Sequence, residues 1–107
     1  MELLKLDLIK RALDEKKAEN ILTIDVSSKT PFFDYYVIAT INNNRQANAC
    51  VDAIEENFEK SSLTIKGSEG RRGSDWVIVD CEDILVHLFT AEERKRISLE
   101  ELLEKIK

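Results

Sequence analysis

The stretch DWVIVDCEDILVHLF, residues 75–89, decides the fold of this chain. Two dense apolar runs, WVIV and ILV, flank the acidic sequence DCED, and this predicts two β-strands, WVIVD and ILVHLF, joined by a turn at 81–83. The only histidine of the chain, His87, lies inside the second run. Such a segment is either a carboxylate site with a histidine beside it or a hairpin that presents itself to a partner. The first would make the protein an enzyme and the second a binding protein.

Length and composition predict one compact domain over residues 1–107. The chain has 107 residues, of which 43% are hydrophobic, and it has only one proline and three glycines. Its apolar runs are far shorter than the roughly 20 residues needed to span a bilayer. The amphipathic N-terminus carries acidic residues among its basic ones, unlike a signal or transit peptide. We therefore expect a cytoplasmic protein that does not associate with membranes.

The net charge of −5 disfavours direct binding to nucleic acid. A protein that holds nucleic acid through its phosphates needs a clustered excess of lysine and arginine. The densest basic spots here, Arg71-Arg72 and the run 94–96, each lie beside acidic residues. An acidic surface instead suits a basic protein partner, because complementary potentials speed encounter and suppress wrong partners.

The N-terminal part predicts one helix and two strands. A helix over 2–18 should end at Asn20, because asparagine tolerates the left-handed conformation found at helix ends. The segment 21–26 alternates like a strand, with Leu22, Ile24 and Val26 on one face, and 34–40 is apolar on both faces, as in an interior strand. The apolar stripe of the first helix comprises Leu4, Leu8, Ile9, Ala12 and Leu13.

A second helix is predicted at about 44–60. Asn43 and Gln46 have the spacing of a capping box, which opens a helix. A short strand at 62–67 and a polar loop should follow, leading into the hairpin. The buried side of this helix should comprise Ala47, Cys50, Val51, Ile54 and Phe58.

Two further capping-box patterns predict a broken helix at the C-terminus. Thr90 with Glu93 opens a short helix, and Ser98 with Glu101 opens a last one after a break near 97–98. The inward residues of the last helix should be Leu99, Leu102, Leu103 and Ile106. The order α-β-β-α-β-β-β-α-α predicts an α/β (mixed α+β) fold, with a small mixed sheet of about five strands flanked by helices. The strand order stays open.

The acidic turn offers one possible catalytic site. In a continuous strand Asp80 and Glu82 would point the same way and could hold a divalent cation, as in nucleotidyltransferases. Gly73-Ser74 precedes this pair, but the intervening DWVIV is too short for the phosphate-binding helix of that plan. A solvated turn is the simpler interpretation, and a residual nucleotidyltransferase stays an alternative.

The other reactive residues have simple structural interpretations. His87 shares a strand face with Leu85 and Phe89 and lacks the motifs of a catalytic histidine, so we expect it to be hydrogen-bonded at the edge of the core. Cys50 should be a small buried hydrophobe and Cys81 a turn residue, since no zinc-ligand spacing accompanies them. No catalytic residue, metal or cofactor is predicted. Trp76, which starts a strand after a charged loop, is either a core residue or an interface anchor.

Several motifs occur in a fixed order along the chain. They are DYYVIAT at 34–40, an Asn-rich turn followed by Arg45, EG at 69–70, W-x-x-x-D at 76–80, DILVHLF at 83–89, and Arg94. The series resembles the ribosomal silencing factor family, RsfS or Iojap, over about residues 3–103. That resemblance implies a nucleotidyltransferase-like fold without the catalytic apparatus and without a cofactor.

The resemblance also implies a function and a set of contact residues. Members of that family bind the fourteenth protein of the large ribosomal subunit and block joining of the small subunit, which represses translation under nutrient limitation, and the free proteins tend to be homodimers. A homodimeric adaptor without ribosome contact stays an alternative. By this resemblance Trp76 would be the apolar anchor. The other contact residues would be Asp80, Glu82 and Asp83, as charge partners for lysine or arginine, with His87 and Arg94 at the margin.

Overall fold

A computed structural model describes residues 2–105 of the chain. Within that range the elements follow the predicted order of helices and strands. The helices are α1 (Glu2–Glu15), α2 (Asn44–Lys60), α3 (Ala91–Ile97) and α4 (Leu99–Lys105). The strands are β1 (Glu19–Asp25), β2 (Tyr35–Ile41), β3 (Gly67–Glu69), β4 (Trp76–Asp80) and β5 (Ile84–Thr90).

The five strands form one mixed sheet in the order β1-β2-β5-β4-β3. The central pair, β2 and β5, is parallel, and every other neighbouring pair is antiparallel. The predicted hairpin is therefore β4 and β5, and β2 is the interior strand that its two-faced apolar pattern predicted. These observations confirm the predicted fold class and supply the strand order that the sequence left open.

Helix α2 has the bounds and the buried side that the sequence predicts. The Asn43 side chain accepts a hydrogen bond from the Gln46 backbone N–H at 2.9 Å, which caps the helix. The Gln46 side chain returns to the N–H of Asn42, one residue earlier than in a standard capping box. All five predicted core residues of this helix are buried, namely Ala47, Cys50, Val51, Ile54 and Phe58.

Helix α1 ends earlier than predicted, because the chain reverses at Lys17 rather than at Asn20. Lys17 has the left-handed φ of 64°, and the Ala18 N–H bonds back to the Leu13 carbonyl. Asn20 is also left-handed, but it lies inside β1, where the pairing with β2 shifts register as in a β-bulge. Leu4 is 42% exposed rather than buried.

The strand predicted at 62–67 is wrong in position. Ser62 turns the chain with a φ of 60°, and the Leu63 N–H bonds back to the Phe58 carbonyl at the end of α2. Leu63 and Ile65 pack on the core without pairing in the sheet, and pairing begins only at β3. The residues that follow α2 bond back to the carbonyls at the end of that helix, so they do not pair in the sheet. Strand β3 therefore begins later than predicted and lies partly in the segment predicted as a polar loop.

The C-terminal helices break at the predicted place by a different mechanism. Ser98 is left-handed, with φ 49°, and its hydroxyl donates to the Lys95 carbonyl, so it ends α3 instead of capping α4 with its side chain. Thr90 does cap α3, accepting from the Glu93 N–H at 3.3 Å. In α4, Leu103 is buried while Leu102 is 48% exposed, and Ile106 lies outside the described residues.

Candidate functional site

Alternate residues of the central strands separate the two faces of the sheet. One face, the covered face, packs against α1 and α2 in the main hydrophobic core and includes Ile84, Val86 and Leu88 of β5. The opposite face, which we call the open face, contributes none of its residues to that core. The strand register places on the open face Tyr36, Ile38 and Thr40 of β2, Trp76, Ile78 and Asp80 of β4, and Leu85, His87 and Phe89 of β5.

The open face is apolar, aromatic and partly accessible. Tyr36, Trp76, Ile78 and Leu85 are all half-buried, so each retains apolar surface in contact with solvent. A groove of about 510 Å³ lies across the β3 end of this face. Its floor includes Ile78 and Leu85, and its other lining residues are Lys66, Gly67, Ser68, Glu69 and Asp80.

His87 lies at the centre of the aromatic side chains of the open face. Its ring centroid is 4.8 Å from that of Tyr36 and 5.9 Å from those of Trp76 and Phe89, and it is nearly parallel to the Phe89 ring. The Trp76 indole Nε1–H donates a hydrogen bond to His87 Nδ1 at 3.1 Å. The expectation of a hydrogen-bonded histidine at the edge of the core is confirmed.

Burial keeps His87 neutral at physiological pH. The residue is only 4% exposed, and desolvation lowers its pKa from 6.5 to about 4. The indole of Trp76 can only donate, so the Nδ1 that accepts from it carries no proton. The imidazole proton is therefore on Nε2, a buried atom that has no hydrogen-bond partner among the described residues.

The loop before β4 fixes the position of Trp76. The Asn44 side-chain amide, at the start of α2, donates to the carbonyls of Gly70 at 3.0 Å and Ser74 at 2.8 Å. The Ser74 hydroxyl accepts from the Trp76 N–H and donates to the Trp76 carbonyl. Trp76 is thus held through its backbone by this loop and through its side chain by His87.

The acidic turn does not have the geometry of paired strand carboxylates. Strand β4 ends at Asp80, and Glu82 is an exposed turn residue with a left-handed φ of 78°. One Asp80 carboxylate oxygen accepts the Glu82 backbone N–H at 2.8 Å, an Asx-type contact that shapes the turn. This geometry agrees with the solvated turn that the sequence favoured, and it does not fit the alternative of two carboxylates that point the same way along one strand.

Asp83 is engaged within the chain. Its carboxylate forms an ion pair with Lys5 of α1 at 2.9 Å, and its carbonyl accepts the N–H groups of Asp34 and Tyr35. Lys5 also reaches the carbonyl of Cys81, which is a turn residue as predicted but is fully buried. Burial raises the pKa of the Cys81 thiol to about 12, so the thiol stays protonated and unreactive.

Arg94 is likewise used to join elements. Its guanidinium donates to the Asn20 carbonyl at 2.7 Å and to the Thr40 hydroxyl at 2.8 Å, and it pairs with Glu100 of α4. The side chain is only 15% exposed. Arg94 therefore connects α3 and α4 to the end of the open face at Thr40.

The structure brings four of the six predicted contact residues together. Trp76, Asp80 and His87 share the open face, and Glu82 lies in the turn beside Asp80, whereas Asp83 and Arg94 serve internal contacts. The sequence did not indicate Tyr36 or the groove lined by Ile78. Ile78 could have been found, since it lies two residues from Trp76 in the same strand. Tyr36 depends on the pairing of β2 with β5, which the sequence does not reveal.

Residues 2–105 contain neither a metal-binding cluster nor a membrane-spanning helix. No group of three or more histidine, cysteine, aspartate or glutamate side chains in this range is arranged to hold a metal ion. The helices within it are all too short or too polar to cross a membrane.

Comparisons with known proteins agree on one family. The family model described as "Ribosomal silencing factor during starvation" matches residues 2–107. The ribosomal silencing factor RsfS of Bacillus subtilis is 34% identical over 91 residues, which are 85% of this chain and 77% of the relative. A crystal structure of a protein from Chromobacterium violaceum superposes with a TM-score of 0.88 at 30% identity, covering 96% of this chain and 86% of the other. A crystal structure from Bacillus halodurans gives 0.79 at 30% identity, covering 91% and 90%.

Proposed function

This chain belongs to the ribosomal silencing factor family, and we propose that it represses translation under nutrient limitation by binding the large ribosomal subunit through its fourteenth protein. The bound domain blocks joining of the small subunit by occupying the space between the subunits. Binding alone accomplishes this, so the mechanism requires no bond to be made or broken, no cofactor and no membrane.

The open face is the observation that carries this proposal. It leaves Tyr36, Trp76, Ile78 and Leu85 partly exposed side by side, and contiguous apolar surface of this kind is typical of protein interaction sites. Asp80 and Glu69 line its groove together with one basic residue, Lys66, Glu82 lies in the turn beside Asp80, and the whole chain has a net charge of −5. Such a surface is complementary to a basic protein and repels the phosphates of ribosomal RNA.

The predicted contact residues take different roles in this docking. Trp76 is the apolar anchor, and Asp80 and Glu82 meet lysine or arginine side chains of the partner. His87 supports Trp76 through their hydrogen bond. Asp83 and Arg94 act indirectly, because their ion pairs hold α1, α3 and α4 in place around the sheet.

Sedimentation through a sucrose gradient tests the proposal. Purified small and large subunits should stay separate when saturating protein is added, and the protein should migrate with the large subunit. The Leu3→Ser variant is a control that should behave like the wild type in this assay, since Leu3 is an exposed leucine on α1 rather than on the open face. Normal subunit joining at saturating wild-type protein would refute the function, and the absence of co-sedimentation would favour an adaptor with no ribosome contact.

We also propose that the free protein is a homodimer, as the resemblance to the family implies. Sedimentation equilibrium of the purified protein measures its mass directly, and a dimer is expected.

The alternative function, a residual nucleotidyltransferase, has its own test. Such an enzyme would show turnover of labelled nucleotides with Mg²⁺ or Mn²⁺, and this turnover would be lost in Asp80→Ala. We expect no such turnover, since Asp80 is bonded to the turn backbone and Glu82 has left the strand.

A further inference from the structure

His87 Nε2 is a polar atom whose hydrogen-bonding capacity is unused. It is buried, and it has no partner among the described residues. The Trp76 indole occupies Nδ1, which assigns the imidazole proton to Nε2 and makes that atom a donor. A buried donor without an acceptor costs free energy in the free protein, so its retention needs an explanation.

The location of this donor points toward a docked protein. His87 is on the open face, between Ile78 of β4 and Ile38 of β2. The two ring nitrogens lie on different edges of the imidazole, so the Nε2 edge is turned away from Trp76. Docking must move a side chain that covers the buried Nε2, and we take this side chain to be Tyr36, which is only half-buried and whose ring centroid lies 4.8 Å from that of His87.

We infer that His87 donates a hydrogen bond from Nε2 to a neutral acceptor of the docked partner, at the centre of the open face. This inference rests on the proposed function and adds the chemistry that the partner must present. A carboxylate is disfavoured as the acceptor, because Asp80 and Glu82 lie beside this face and would repel it. The partner therefore needs an uncharged oxygen at the point where its surface covers Tyr36 and Trp76.

Such a hydrogen bond makes His87 a determinant of specificity. An apolar surface alone accepts many partners, whereas a buried donor penalises any partner that covers it without an acceptor. The Trp76–His87 pair then combines two functions, since the indole supplies contact area and also fixes the tautomer that makes Nε2 a donor.

Nuclear magnetic resonance tests the tautomer directly. In ¹⁵N-labelled free protein at pH 7, the His87 spectrum should show a neutral ring protonated at Nε2. Addition of unlabelled fourteenth large-subunit protein should move the Nε2–H proton downfield, as hydrogen bonding does. A neutral ring protonated at Nδ1, or an Nε2–H signal unchanged in the saturated complex, would overturn the inference.

A pair of near-isosteric substitutions separates donation to the partner from support of Trp76. Both are made in a Trp76→Phe background, where the indole bond is already absent. His87→Gln keeps a donor and His87→Met does not, while their shapes are similar. We expect His87→Met to weaken binding to isolated large subunits roughly three- to tenfold relative to the background, and His87→Gln to weaken it less than about twofold.

Three outcomes of the binding assay are distinguishable once circular dichroism shows that all variants are folded. If wild-type protein fails to bind large subunits, the proposed function is lost and this inference with it. If wild type binds and His87→Met equals its background, His87 does not donate to the partner, while the proposed function stands. If His87→Met binds more weakly and His87→Gln does not, the donor is assigned.

Discussion

Strand β5 shows in six consecutive residues how the two faces of the sheet differ. Ile84, Val86 and Leu88 point to the covered face and are fully buried against the helices. The residues between them point to the open face, where Leu85 is half-buried, Phe89 is fully buried, and His87 is buried with one nitrogen that lacks a partner among the described residues. Leu85 and His87, which belong to the surface proposed to recognise a partner, therefore lie between residues that stabilise the fold.

This alternation separates stability from recognition. A residue on the covered face contributes through complete burial, which is worth about 1.5–3 kcal/mol for a large aliphatic side chain. A half-buried residue of the open face, such as Leu85 or Ile78, gains the rest of its burial only when a partner covers it. Substitutions at neighbouring positions should therefore affect different measurements, and this expectation can be tested by pairs of variants.

The largest expected effect is on the covered face. Leu88→Ala should lower the free energy of unfolding by about 2–5 kcal/mol, because it leaves a cavity among fully buried neighbours. Leu85→Ala, three residues earlier on the open face, removes a half-buried side chain and should cost less than about 1.5 kcal/mol. Urea unfolding followed by circular dichroism measures both variants under the same conditions. Equal losses would mean that the two faces are equally buried in solution.

Trp76→Ala should have the largest effect on binding. Loss of an anchor at the centre of an interface typically costs about 2–4 kcal/mol of binding free energy. Most of this loss should appear as faster dissociation of the variant from the large subunit. Circular dichroism must first show a native fold, since Trp76 also contacts His87 and Phe89. A folded variant that dissociates at the wild-type rate would move the docking site away from the open face.

His87 gives the open face a distinct pH dependence. Its folded pKa of about 4 lies below the unfolded value of 6.5, so the unfolded chain takes up a proton that the folded chain excludes. The resulting loss of stability is absent above pH 6.5, grows as the pH falls, and is complete below pH 4. It should reach about 3 kcal/mol, at about 1.4 kcal/mol per pKa unit.

A comparison with His87→Gln isolates this contribution. The free energy of unfolding of each protein is measured at pH 7 and at pH 4.5. The carboxylates titrate alike in both proteins, so their contribution cancels when the two losses are compared. Wild type should lose about 2–3 kcal/mol more than the variant over this interval. A parallel decline of the two proteins would show that His87 is accessible to protons in the folded state.

The sequence predicted the covered face better than the open one, for physical reasons. Helical and strand periodicity report burial directly, and Ala47, Ile54 and Phe58 were all assigned correctly. The open face depends on which strands are neighbours, and the parallel pairing of β2 with β5 joins residues about 50 positions apart. The contacts of Tyr36 with His87 follow from that pairing alone.

Local backbone conformations were the other source of error. Five non-glycine residues adopt positive φ in the described range, and two of them, Lys17 and Ser62, lie where predicted boundaries failed. Ser62 and Ser98 reverse the chain at helix ends, where backbone N–H groups bond back to helical carbonyls. A side-chain pattern predicts a cap, but it does not show which residue will take the left-handed conformation.

The smallest expected effect concerns Glu82, at the exposed tip of the hairpin. Glu82→Gln should slow association with the large subunit by roughly two- to fivefold at low salt and leave dissociation nearly unchanged, since charges at an interface margin steer more than they hold. The difference from wild type should shrink as salt is added, because screening acts over about 10 Å at 0.1 M. Stopped-flow association at several salt concentrations measures it.

Glu82→Gly provides the control that separates charge from backbone. The left-handed φ of 78° is unfavourable for glutamate and free of strain for glycine, so this variant should gain about 1 kcal/mol of stability. Like Glu82→Gln, it removes the negative charge at position 82, so it should show the same slower association. If the glycine variant associates at the wild-type rate while the glutamine variant is slow, the effect comes from the shape of the turn, and the acidic tip does not steer the partner.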